Sequence, residues 1–275
     1  MRIGPRPAGS EGSLRVRRLI SDRLRQAGWR VEPQRFEARL PDGAEIPMTN
    51  LIARLEGESP GRILLGTHFD TKRIADAPDF AGANDGASGV AVLLELARQL
   101  RQRPRAWSYT LLFFDGEEAL GERITQRDGL YGSRALAARM RDSGEFERVR
   151  AFVLIDMVGD SDLNLQISAD SAGWLASLWR EAAAKLGRGE LTDPDPVRLV
   201  DDHTPFVRLG LEPVLALIDF QFGARWTPGP FWHTAADDLR SVSAESLNSV
   251  GEILVQFLVE LEAHLEAGRD ANSRR

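Results

Sequence analysis

The chain has 275 residues, 43% hydrophobic and 28% charged, enough to bury a full core around one large sheet, and no composition shift divides it. Its net charge of −6, with basic residues scattered among acids rather than gathered in a stripe, excludes nucleic acid as a partner. Cysteine is absent, which excludes disulfides, thiolate metal sites and thiol nucleophiles, so any metal must sit on His, Asp and Glu.

Ser10 caps a predicted helix through Leu14, Val16, Leu19, Ile20 and Leu24, whose apolar spacing is about 3.6 residues and whose stop is Gly28. Strand-like runs follow at residues 29–40, which alternate and then turn at Pro41-Asp42-Gly43, and at 50–55. Residues 62–69 (RILLGTHF) are apolar enough for a buried strand, 86–100 form an apolar-faced helix, and 109–114 (YTLLFF) are a second buried strand. A helix at 133–140, a strand at 149–158, a helix at 174–186, an Asp- and Pro-rich loop, a strand at 213–220 and an amphipathic helix at 243–265 complete the order. A polar tail, 269–275, is expected to fray.

This alternation predicts one α/β domain over residues 1–275, with a mixed, mostly parallel central sheet flanked by helices on both faces. No apolar run approaches the ~18 residues of a membrane span, and Arg2-Ile3-Gly4-Pro5-Arg6 has no apolar signal core. In such a sheet, ligands bind beyond the carboxyl ends of the strands. His68-Phe69-Asp70, Asp115-Gly116-Glu117-Glu118, Asp156 and Asp219 all fall there.

Each cluster has an ordinary structural reading. Glu117-Glu118 fits a solvated helix start, Asp85 in the Gly-rich 83–89 loop fits an N-cap, and His68 fits a satisfied strand-end histidine. His233 fits a loop histidine stacked on Trp232, and Asp201-Asp202-His203 fits a turn. Taken together they favour one metal site, because two carboxylates leaving a hydrophobic rim need a compensating cation and zinc takes N and O ligands with one position left open. Gly-x-Ser-x-Gly, phosphate-loop, Gly-x-Gly-x-x-Gly and His-Glu-x-x-His patterns are all absent.

In this order the clusters resemble the zinc exopeptidase superfamily, which is related to the transferrin receptor and contains co-catalytic aminopeptidases and animal-type glutaminyl cyclases (glutaminyl-peptide cyclotransferases). The cyclase branch is favoured by Phe113-Phe114-Asp115-Gly116-Glu117-Glu118-Ala119, Leu130-Tyr131-Gly132-Ser133-Arg134, Asp201-Asp202-His203-Thr204-Pro205-Phe206 and Trp232-His233-Thr234. One departure is Gly121-Glu122-Arg123-Ile124, where such cyclases tend to carry an aromatic residue. The resemblance implies one zinc on Asp85, Glu118 and His233, with Glu117 as acid/base and Asp156 and Asp201 as a catalytic relay. It also implies a substrate pocket walled by Trp232, Phe231 and Phe222.

The expected reaction converts the N-terminal glutamine of a peptide or protein to pyroglutamate with release of ammonia. The alternative is a two-zinc aminopeptidase, in which His68 and Asp156 hold a second ion and Asp85 bridges the two. A non-catalytic receptor-type module is a third alternative, opposed by the survival of every ligand. The resemblance further suggests an exported protein, periplasmic or secreted, whose leader has been trimmed.

Overall fold

The structure, a computed structural model, describes residues 3–103 and 105–273. The Ser10 hydroxyl accepts the Ser13 N–H (3.1 Å) and starts α1 (Glu11–Gln26), which buries Val16, Ile20 and Leu24 and turns Leu19 outwards. An antiparallel hairpin follows, β1 (Arg30–Arg39) and β2 (Glu45–Leu55). β2 begins five residues before the apolar run expected at 50–55, because its first half is held by the ladder to β1, down to Arg39 opposite Glu45. Pairing rather than hydrophobicity makes that half a strand.

Next come β3 (Arg62–His68), α2 (Ala87–Leu100), β4 (Ser108–Phe114), α3 (Tyr131–Asp142) and β5 (Val149–Asp156). The remainder is β6 (Gln166–Ile167), α4 (Gly173–Lys185), α5 (Thr204–Arg208), β7 (Val214–Ile218) and α6 (Ala244–Ser273). β6 and α5 were not expected, being too short to show a period. α6 continues through the first five residues of the segment expected to fray, and residues 274 and 275 lie outside the described residues.

The sheet order is β1-β2-β4-β3-β5-β7-β6. The four central strands are parallel, and antiparallel pairs flank them on both sides, which is the mixed sheet the sequence predicts. One face carries the larger core, built from α1, α2, α4 and α6, with Leu93, Trp179 and Phe257 fully buried. The other is covered by α3 and α5, with Phe114, Phe152 and Phe206 in mutual contact. Each such side chain contributes about 1.5–3 kcal/mol on burial, so the sheet forms a stiff platform.

The order places a switch point at β3. The chain leaves β3 through α2 to β4 on one side, then crosses through α3 to β5 on the other. A crevice opens beyond the carboxyl ends at such a point. His68 ends β3, Asp156 ends β5, and Asp115 follows directly on β4.

Candidate active site and metal centre

Asp85 sits at the centre of the crevice. The cap residue of α2 is Gly86, in a left-handed conformation (φ 84°), and Asp85 caps nothing. A side chain at Gly86 would strike the Asp70 carbonyl at 2.7 Å and the His68 ring at 2.9 Å, so only glycine lets the loop turn this close to β3. One Asp85 oxygen lies 3.1 Å from His68 Nε2 and the other 3.4 Å from His233 Nε2. Two half-sites therefore share this carboxylate.

The first half-site is Asp85, Glu118 and His233, with His233 Nε2 3.2 Å from Glu118 Oε1. The second is Asp85, His68 and Asp156, with His68 Nε2 3.1 Å from Asp156 Oδ1. A tetrahedral ion with bonds of about 2.0–2.1 Å holds its ligands about 3.3 Å apart, so these separations fit a metal ion. Electrostatics agree. Burial opposes charge on Asp85, yet hydrogen bonds from His233 and His68 hold its carboxyl well below the usual range. Burial likewise opposes charging His233, yet Asp85 and Glu118 lift its ring to about 9. Carboxylates that must recruit protons onto neighbouring imidazoles have the electron pairs a metal ion would take up.

The supports are as specific as the ligands. Asp70 accepts the backbone N–H groups of Glu117 (3.1 Å) and Glu118 (3.3 Å), fixing both after the Gly116 turn. Asp237 accepts those of Asn84 (2.6 Å) and Asp85 (3.0 Å). Arg6 is one residue that sequence reasoning missed. Its buried guanidinium donates to the carbonyls of Phe69 (2.6 Å), Ala81 (2.5 Å), Gly82 (2.7 Å) and Asp85 (3.2 Å), tying the β3 exit to the loop that carries Asp85. Such carbonyl contacts leave no side-chain pattern.

Glu117, Glu118, Asp85, Asp156, Asp201 and His233 all line one cleft of about 410 Å³, whereas His68 does not. Burial pushes the Glu117 carboxyl well above the ordinary range; His68 opposes this, and Glu118, Asp201 and Asp202 reinforce it. Burial, and then the charge of Asp156, raises Asp201 to about 7. Its Oδ2 has no hydrogen-bond partner among the described residues. Asp156 Oδ1 also accepts its neighbour's N–H from Met157 (2.8 Å).

Trp232 lines the cleft, its ring stacked on that of His233 at 3.8 Å. His233 (φ 53°) and Met157 (φ 45°), two cleft residues, hold left-handed backbones, the kind of strain that collects at functional sites. Phe231 and Phe222 do not reach the cleft, which corrects the expected pocket. Phe222 is fully buried, its ring 5.4 Å from that of Phe231, which folds into the space left by the absent side chain of Gly223. Phe220 takes the wall position instead, edge-on to Trp232 at 5.1 Å. Asp219 and Asp115 lie outside both half-sites. Asp219 accepts the N–H groups of Asn164 and Gln221, and Asp115 accepts the N–H of Thr49.

Peptidase family M28 matches residues 50–258. The glutaminyl-peptide cyclotransferase-like protein of Mus musculus is 34% identical over 284 residues, covering 93% of this chain and 72% of that protein. Glutaminyl-peptide cyclotransferase of Boiga irregularis is 32% identical over 92% of this chain and 76% of its own length. The crystal structure of an Acidobacteriales bacterium glutaminyl cyclase has a TM-score of 0.89 and 36% identity over 96% of this chain and 90% of that one. With a family match over most of its length and relatives above 30% identity, the chain belongs to peptidase family M28, in its glutaminyl-peptide cyclotransferase branch.

Proposed function

We propose that the chain works as one catalytic domain, a zinc-dependent glutaminyl cyclase that closes the N-terminal glutamine of peptides to pyroglutamate and releases ammonia. The observation that carries this reading is the half-site of Asp85, Glu118 and His233, which opens into the cleft beside Glu117 and Trp232. Zinc suits a site of one imidazole and two carboxylates with a position left open. The chemistry it supplies when bound is Lewis acidity towards the γ-carbonyl of the substrate.

The protein's own groups do the rest. Trp232 and Phe220 flank a slot for the slender glutamine side chain and limit water. The α-amine attacks the γ-amide carbon, so a C–N bond forms in the ring as the bond to the departing nitrogen breaks. Glu117 takes the proton from the amine and delivers it to that nitrogen, a shuttle served by a carboxyl whose affinity for protons burial has raised. Asp156 and Asp201 extend the acidic surround, Asp156 anchored by His68.

The second half-site favours the rival reading, a two-metal aminopeptidase. Against it stands His68, which faces Asp85 and Asp156 through Nε2 and Asp70 through Nδ1 (3.5 Å). Burial disfavours the imidazolium, but these carboxylates raise its pKa well above the ordinary value. The ring is sealed, 1% exposed and absent from the cleft wall, so an ion held by it would lie out of the substrate's reach.

The test is ammonia and pyroglutamate formation from a Gln-initiated dipeptide, run beside hydrolysis of a leucine anilide. Cyclisation without anilide cleavage is expected; anilide cleavage without pyroglutamate would establish the aminopeptidase. Among the described residues no helix is long and apolar enough to cross a membrane. Export, expected from the resemblance, is part of this reading and is checked by cell fractionation.

A further inference from the structure

The cleft walls carry charges that the cyclisation chemistry does not use. Glu122, Arg123 and Ile124 line one stretch of the wall, and Arg198, Leu199 and Val200, just before Asp201, line another. Arg123 and Arg198 are exposed, and among the described residues neither has an ion-pair partner, although the chain as a whole carries a charge of −6. Lys72 also lines the cleft but is occupied, its Nζ 2.7 Å from the Ala119 carbonyl and 3.6 Å from Glu118.

A substrate whose α-amine and γ-amide both react at the metal end can leave the cleft only through its own carbonyl. The next residue is displaced by about 3.3–3.6 Å of chain and meets these walls. Building on the cyclase reading, we propose that Arg123 and Arg198 select peptides with an acidic side chain directly after the N-terminal glutamine, and disfavour a basic one. Glu122 stands against this selection but offsets only one of the two arginines, and the other cleft acids, Asp85, Glu117, Glu118, Asp156 and Asp201, belong to the metal end, where the glutamine itself binds. An exposed pair of this kind is worth about 1.5- to 5-fold, so attraction of a glutamate combined with repulsion of a lysine gives a spread of about tenfold, screened by salt.

The experiment compares kcat/KM for the amidated peptides Gln-Glu-Ala, Gln-Ala-Ala and Gln-Lys-Ala with the zinc-loaded protein at about 20 and 500 mM salt, then repeats it with R123Q/R198Q. The expected order is Glu above Ala above Lys, with the spread compressed at high salt and falling towards one in the double variant. Equal rates for the three peptides, or a spread that survives R123Q/R198Q, overturn the proposal while leaving the cyclase reading intact. No turnover of any of the three overturns that reading, and this proposal with it.

Discussion

The two half-sites around Asp85 are nearly equal in spacing and unequal in surroundings. On one side His233 is partly open, strained, stacked on Trp232 and part of the cleft lining. On the other, His68 is sealed in, 1% exposed, with carboxylates at both ring nitrogens. Ligand spacing alone therefore does not decide which group does chemistry. Access does, because a catalytic metal needs a position that substrate can reach, and His68 does not line the cleft.

The comparison can be broken most sharply at Glu117, which belongs to the open side but is assigned no bond to the metal. Glu117→Gln should retain the metal and lose about 10²–10⁴-fold in kcat, the usual worth of a general acid/base. Steady-state rates with metal content measured on the same preparation check this, and near-normal turnover would remove Glu117 from its role. Arg6 sharpens the comparison from beneath, since it holds the loop common to both half-sites. Arg6→Met should weaken metal affinity by about 10–100-fold, the range for groups that orient ligands from behind. Chelator competition reads this directly, and affinity unchanged from wild type would reduce Arg6 to a fold residue.

Much of this was legible in the sequence, for physical reasons. Central parallel strands are buried on both faces and so read as unbroken apolar runs, and polar residues directly after such runs must lie at the carboxyl edge of the sheet. That located Glu117, Glu118 and Asp156, while Asp85 and His233, in loops well beyond their strands, were reached through the resemblance. The hidden part rests on backbone partners and loop direction. Arg6 reaches carbonyls 63 to 79 residues away, and Asp237 holds two N–H groups more than 150 residues back. Neither leaves a periodic trace. Phe222 and Phe231 carry the right chemistry for a pocket wall, but Phe222 is fully buried and Phe231 packs against it and Gly223, which leaves Phe220 on the wall.

Two smaller effects refine the open side. Trp232→Ala should raise KM roughly 2- to 12-fold, the worth of one aromatic contact, while metal content holds; an unchanged KM would remove Trp232 from the substrate wall. The pH profile carries the last effect. Glu117 must be ionised to accept the amine's proton, and its carboxyl is raised by burial and by neighbouring acids, Asp201 among them, so turnover is lost as pH falls through that raised value. Asp201→Asn removes one of these negative neighbours, makes ionisation of Glu117 easier and should move the acid limb of kcat/KM to lower pH. A limb that stays in place would separate Asp201 from Glu117.

The central claim, one metal on the open side and none on the closed side, is tested most directly by counting zinc per chain in the wild type, His233→Ala and His68→Ala. The account predicts about one zinc in the wild type, its loss in His233→Ala and its retention in His68→Ala. Two zincs in the wild type, with one lost in each variant, would contradict it and make the pair of half-sites a two-metal centre.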